Sequence, residues 1–381
     1  MRKPIIYADH AATTPLSHAA RDAMRPYLED YFGNPSTLYS LAREPRKAVS
    51  DARKTIANTI GAEPSEIYFT SGGTEADNWA IKGTALQCAS KKKHIITSTI
   101  EHHAVLHPCE FLQDMGWDIT FLPVDSKGIV SAKALEESLR EDTALVSVML
   151  ANNEIGTIEP IQELAAIAHA KGALFHTDGV QAVGHIPVDV RKLGVDMLSS
   201  SAHKFNGPKG VGFLYIRQGL KIIPLLHGGG QEAGMRSGTE NVAGIIGMAA
   251  ALSEHTTKLQ EEAAYLESLR NRLITDLKQS QLDFLINGAE NHIPGSISLS
   301  FKNAEGEMFL HRLDLMGIAI ATGSACNSKE TETSHVIKAI HIPSDYANGT
   351  IRITLGMDND THQVNLIVEG IKKILSYREA G

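Results

Sequence analysis

Thr143-Ala144-Leu145-Val146-Ser147-Val148-Met149-Leu150, Ile161-Gln162-Glu163-Leu164-Ala165-Ala166-Ile167-Ala168 and Ala173-Leu174-Phe175-His176 follow one another with short breaks. The first and third are apolar runs of strand length, and the second spaces its apolar residues as a helix does. Strand, helix, strand in this order predicts a right-handed crossover and a mostly parallel sheet covered on both faces. His94-Ile95-Ile96-Thr97 reads as a further buried strand. Such sheets take ligands beyond the carboxyl ends of their strands, so the residues that follow strands are where chemistry is expected.

Outward from this core, the chain divides. A long amphipathic helix is predicted from Thr256 to Ser280, with Leu259, Ala263, Leu266, Leu269, Leu273 and Leu277 on one stripe. Beyond it a smaller alternation follows: strands at 296–301, 318–321 and 351–355, and helices at 308–315 and 363–377. The expectation is a large cofactor domain, a smaller C-terminal α/β domain, and an active site between them. A length of 381 residues suits two domains. Lysine and arginine total 36 against 44 acidic residues, a net charge of −8, which argues against a nucleic-acid partner. The longest apolar stretch, Val242 to Leu252, is about half of what a bilayer requires, so no membrane span is expected. The run after Met1-Arg2-Lys3-Pro4 is too short for a signal peptide. Cys88, Cys109 and Cys326 are an odd number without metal-type spacing, which fits neither a disulfide framework nor a metal site. The expected location is the cytoplasm.

Asp178 ends the strand that starts at Leu174, and Lys204 follows Met197 to His203, another strand running into a loop. An acid and an amine at two strand ends match what pyridoxal 5'-phosphate requires: a lysine to bind its aldehyde and a carboxylate to keep the ring nitrogen protonated. The same spacing also fits a turn aspartate and a surface lysine. Thr70-Ser71-Gly72-Gly73-Thr74 follows the strand Ile67-Tyr68-Phe69 and opens a helix, where free N–H groups and the helix dipole suit a phosphate. Ordinary helix caps look alike. Ser201 and His203 stand close enough in sequence to add donors. Cys326 sits in Thr322-Gly323-Ser324-Ala325-Cys326-Asn327-Ser328, small and polar, where a thiol is either a nucleophile or a bystander. Cys88 and Cys109 have partly apolar helical surroundings and read as structural. His102, after another strand, suits ring stacking or proton transfer. Arg352 lies opposite the isoleucines of Thr350-Ile351-Arg352-Ile353-Thr354, either as a carboxylate clamp or as a solvated strand residue.

These motifs, in order, resemble the cysteine desulfurases of the NifS/IscS type, which are fold-type I (aspartate aminotransferase-like) pyridoxal phosphate enzymes. The resemblance runs nearly end to end. It covers Tyr7-Ala8-Asp9-His10-Ala11-Ala12-Thr13-Thr14-Pro15, Phe32-Gly33-Asn34-Pro35-Ser36, Phe69 to Glu75, Glu101-His102 and Asn152-Asn153-Glu154-Ile155-Gly156. It continues through Ser201-Ala202-His203-Lys204, Gly207 to Gly210, His227 to Glu232, Arg236-Ser237-Gly238-Thr239 and Gly323-Ser324-Ala325-Cys326. It implies an α/β fold: a large domain, residues 15–256, on a mainly parallel seven-stranded sheet. Residues 1–14 and 257–381 would form a smaller domain with the catalytic cysteine loop.

The resemblance also implies roles. Lys204 would bind the cofactor and shuttle protons, Asp178 would pair with the ring nitrogen, His102 would stack on the ring, and Gln181 would bond its phenolic oxygen. Gly73, Thr74, Ser201 and His203 would hold the phosphate, joined by Thr239 from the second subunit of a homodimer. Asn153 would stand beside the ring, Arg352 and Asn34 would receive the carboxylate of L-cysteine, and Cys326 would take its sulfur as a persulfide, leaving L-alanine. A sulfur-acceptor protein, such as an iron–sulfur scaffold, is the implied partner. Two departures are Gly179-Val180 after Asp178 and Asn327 beside the cysteine. With the chain stopping at Gly381, the long C-terminal tail of housekeeping relatives is not expected. The competing readings are a selenocysteine lyase, a cysteine sulfinate desulfinase, an aminotransferase and a catalytically silent scaffold homologue.

Overall fold

The computed structural model describes residues 5–322 and 333–379. Twelve strands are present among them: β1 (Ile6–Tyr7), β2 (Ile67–Thr70), β3 (His94–Ser98), β4 (Asp118–Leu122), β5 (Thr143–Ser147), β6 (Leu174–Asp178), β7 (Met197–Ser201), β8 (Gly212–Ile216), β9 (Phe284–Ile286), β10 (Ser296–Phe301), β11 (Ile318–Ala319) and β12 (Thr350–Thr354). Seven form one sheet in the order β2-β8-β7-β6-β5-β3-β4. Every residue of β3, β5, β7 and β8 is buried, as helices on both faces require. Pairing is parallel except at β8, which runs antiparallel to both β2 and β7. The reversal follows from chain length: residues 202–211 are too few for a parallel crossover, which takes about a dozen or more. Lys204 lies in that connection, just past the end of β7.

Two apolar cores flank the two faces of the large sheet, one around Ile56, Phe175 and Phe213, the other around Trp79, Ile95 and Leu214. A third joins Ile6 and Ala8 to Leu266–Leu277, Leu299, Phe309, Ile353 and Ile371. It surrounds the antiparallel sheet β12-β10-β9 and the parallel pair β1–β11.

The helix expected from Thr256 starts earlier. It runs unbroken from Val242 to Gln279, 38 residues, with the Asn241 side chain capping it through the Gly244 N–H. Its first turns bury Ile245, Met248 and Leu252 in one core, and its last bury Leu269, Leu273 and Leu277 in another. The apolar run at 242–252 is therefore helix packed on helix, against His18–Glu29 and Arg43–Thr59. The run Thr143–Leu150 is regular strand only to Ser147; beyond it the Val148 and Leu150 N–H groups still donate to the His176 (3.2 Å) and Asp178 (2.9 Å) carbonyls of β6, which carries Met149 to the site. Among the described residues no helix is long and apolar enough to cross a membrane.

Candidate active site

Strands β3, β5, β6 and β7 end around one cavity of about 320 Å³. Asp178, the last residue of β6, is 4% exposed and accepts the Val180 N–H at 2.8 Å. Burial pushes its carboxyl up to about 6, against the pull of the Val180 N–H and the Lys204 charge. The Lys204 ammonium donates to the backbone carbonyls of Ala11 (2.6 Å) and Ala12 (2.9 Å), which aims it across the cavity from the N-terminal segment. The amide of Gln181 donates to the same Ala11 carbonyl at 2.9 Å. Turn aspartate and surface lysine are thereby excluded: both groups line one cavity.

Where β2 runs into the helix Gly73–Cys88, the chain makes a tight cup. Gly72 has φ +149°, a region that favours glycine, and a Cβ on Gly73 would lie 2.6 Å from Val180 Cγ2. Behind the cup a Cβ on Gly212 would lie 2.3 Å from the Ser200 carbonyl and 2.8 Å from Gly72 Cα, both backbone. Gly212→Ala should therefore push the cup out of place and destabilise the fold by about 1–3 kcal/mol. Chemical denaturation and cofactor titration check this, and wild-type values in both would show that the cup yields without cost. The Glu75 carboxylate accepts the Ser71 N–H at 2.8 Å and pairs with Arg236 at 2.8 and 3.0 Å, tying the loop that carries Thr239 to the cup. Those Ser71 and Arg236 bonds hold the Glu75 carboxyl low despite its burial.

His102 caps the helix His103–Asp114 with its own ring: Nδ1 accepts the Ala104 N–H at 3.1 Å. A ring that accepts at Nδ1 carries its proton on Nε2 when neutral. Burial first, then the Lys204 charge, lowers it to about 4, so it is neutral near pH 7. His203, whose Nδ1 is 3.1 Å from Thr13 Oγ1, is likewise lowered to about 4, mainly by burial.

Arg352 is 6% exposed, so it is no solvated strand residue. It donates from Nη2 to Asp9 at 2.7 Å and from Nη1 to the Asn153 carbonyl at 3.0 Å, while its buried Nε has no hydrogen-bond partner. Beside it, burial raises the Glu154 carboxyl to about 7, and its oxygen accepts the Ser334 hydroxyl at 2.6 Å.

Gly73, Thr74, His102, Asn153, Asp178, Gln181, Ser201, His203, Lys204 and Arg352 thus share one cavity wall. Asn34 and Thr239 do not. Asn34 closes a turn by accepting the Ser36 N–H, and Thr239 lines a separate recess with Ser71 and Gly238. Cys326 lies outside the described residues. The wall also includes Asp77 and Met149, neither of them given a role from the sequence. Asp77 is the buried acid of a helix whose other acid, Glu75, is partly exposed. Among the described residues no group of three or more His, Cys, Asp or Glu side chains is arranged to hold a metal.

Pyridoxal phosphate fits this donor set. A buried acid at a strand end, an amine across from it and a glycine cup that tolerates no Cβ suit, in turn, a ring nitrogen, an aldehyde and a phosphate. Comparison with known proteins points the same way. The family model for class-V aminotransferases matches residues 6–367. A protein of Dictyoglomus turgidum named cysteine desulfurase IscS is 52% identical over 97% of this chain and 94% of its own. A solved structure titled NifS-like protein superposes with a TM-score of 0.93 at 39% identity, covering 98% of this chain and all of that one. Another, titled SspA in complex with cysteine, gives a TM-score of 0.82 at 36% identity over 92% of this chain and 99% of that one.

Proposed function

We propose the function from one premise: the chain belongs to the class-V aminotransferase family. It is an enzyme of the α/β, fold-type I class, a cysteine desulfurase that converts L-cysteine to L-alanine and keeps the sulfur. The observation that carries this reading is the meeting of Lys204, Asp178 and Arg352 in one cavity, an amine and two charged groups placed for a cofactor and an amino-acid carboxylate.

In this reading pyridoxal phosphate is the cofactor. Lys204 holds its aldehyde, Asp178 its ring nitrogen, Gln181 its phenolic oxygen, and Gly73, Thr74, Ser201 and His203 its phosphate, with Thr239 of a second copy in a homodimer. Bound there, the cofactor supplies an electron sink that weakens the α-C–H and C–S bonds of the substrate. His102, neutral and fixed by its cap, packs on the ring without adding a charge. Asn153 stands at the ring's edge.

The chain's own groups do the rest. Arg352 and Asn34 receive the substrate carboxylate. The Lys204 amine removes and returns protons, held near the cavity by the carbonyls of Ala11 and Ala12. The Cys326 thiolate attacks the substrate sulfur: an S–S bond forms, the C–S bond breaks, and its electron pair stays with carbon, which takes a proton on the way to alanine. The division into residues 15–256 and residues 1–14 with 257–381 belongs to the same proposal. So do a cytoplasmic location and an acceptor protein that passes the sulfur toward iron–sulfur clusters or other thiolated products.

Supplied with cysteine, the loaded enzyme should release alanine and gain one sulfur on protein. Transamination products without protein-bound sulfur would favour an aminotransferase. Arg352→Ala should lower kcat/KM for cysteine about tenfold to 150-fold, the loss of hydrogen bonds worth roughly 1.5–3 kcal/mol to a charged group, with cofactor content intact. Unchanged kinetics would return Arg352 to a purely structural role with Asp9.

A further inference from the structure

The helix Gly73–Cys88 turns one acid toward the sheet. Asp77 is 1% exposed and lines the same cavity as Asp178 and Lys204, and its Oδ1 has no hydrogen-bond partner. His176 Nε2 is 3.6 Å from that oxygen, beyond hydrogen-bond reach, and stands instead 2.9 Å from Ser199 Oγ. The other ring nitrogen of His176 is 2.9 Å from Ser147 Oγ. The Ser199 hydroxyl favours the charged form of Asp77, while the charges acting against it come from two acids, Asp178 of β6 and Glu101 beyond β3. Strands β5 and β7 face it with hydroxyls alone, and His176 is neutral, lowered by burial to about 3. Asp178 is better equipped for charge: it accepts the Val180 N–H and feels Lys204.

We propose that Asp77 is a second carboxyl of the ring-nitrogen site, a positioning residue that stays protonated and leaves Asp178 as the one negative charge facing the ring. This rests on the reading above that the ring nitrogen meets Asp178. Two buried acids in one chamber release their protons in separate steps, the better-solvated or better-paired one first. The directions agree. Burial, then the charge on Asp178, drives Asp77 well above the ordinary aspartate range, while Asp178 rises only to about 6. In this proposal the pair carries a single charge near pH 7, and the neutral acid still offers Asp178's chamber a proton donor without competing for the pyridinium.

A folded-state pKa raised above the unfolded value contributes stability at low pH that is lost as pH rises. The apoprotein should thus weaken relative to Asp77→Asn, whose amide is neutral at any pH. In chemical denaturation the ratio of the two folding constants should widen about tenfold per pH unit between pH 5 and 7.5. A ratio flat with pH would overturn the proposal. Infrared difference spectra of the apoproteins at pH 7.5, wild type minus Asp77→Asn, should show a protonated-carboxyl band, and a carboxylate band there would overturn it. Asp77→Ser gives the same difference if Asp77→Asn does not fold. In the loaded protein Asp77→Asn should leave the pH midpoint of the bound cofactor's visible absorption in place, and a downward shift of a unit or more would mean that Asp77 carries a charge. Asp178→Asn should move that midpoint. If it does not, the ring-nitrogen reading itself falls, while the infrared result on Asp77 stands by itself.

Discussion

Lys204→Ala is expected to lose the visible absorption of lysine-bound pyridoxal phosphate completely and to drop turnover by at least about a thousandfold. A primary amine is the only side-chain group that binds the cofactor aldehyde in this way, and proton transfer by a placed base is by itself worth about 10²–10⁴-fold. The structure sharpens the expectation. Lys204 is held over the cavity by two carbonyls, Ala11 and Ala12, so no neighbouring lysine inherits its position by a simple rotamer change. Absorption spectra and alanine assays on the purified variant check both halves. A variant that kept the native chromophore would mean that the lysine has been misassigned, with Lys209 the next candidate.

Cys326→Ala separates a desulfurase from every aminotransferase-like rival. In the proposed function, substrate binding and α-proton removal call on Lys204, Asp178 and Arg352, but on no protein thiol. The variant should bind pyridoxal phosphate, change its absorption when cysteine is added, and then stall. Mass spectrometry after brief exposure to cysteine should find the extra sulfur on Cys326 of the wild type and on neither other cysteine. Cys109 is fully buried, its thiol pushed up to about 12, chiefly by burial. Cys88 is half-buried and also raised by burial. Neither supplies an appreciable thiolate near pH 7. Release of alanine by Cys326→Ala at the wild-type rate would sink the assignment.

The crossover sheet was readable because β3, β5 and β6 each carry adjacent apolar residues at strand length and alternate with a helical pattern. Asp178 and Lys204 were findable because Asp178 ends one strand and Lys204 follows another. Three features were not. Strand β8 is as buried as the parallel strands of the sheet, and its reversal depends on the length of the connection rather than on its own residues. The helix Val242–Gln279 has no break where one core gives way to another, so its pattern looks like two segments. Asp77 is hidden because it stands between the partly exposed Glu75 and Asn78 in sequence, and only the packing of the helix shows that it turns inward. Arg352 was ambiguous for a related reason. Period-two alternation places it opposite the isoleucines, but that second face is covered by Asp9 and Asn153, contributed by distant parts of the chain.

The earliest strand to leave the ribosome is among the last to find its partner. β1 pairs with β11, Ile6 with Ile318, some three hundred residues later. At about 5–20 residues per second, roughly a quarter of a minute to a minute of synthesis separates them. Throughout that interval the seven-stranded sheet can form, but the segment that follows β1 cannot be locked down at both ends. That segment supplies the carbonyls of Ala11 and Ala12 that hold Lys204, and the Asp9 that holds Arg352. Vectorial synthesis thus leaves Lys204 and Arg352 without their settled partners until β11 and β12 have been made, and a nascent polypeptide stalled before β11 has the large sheet without the finished cavity wall.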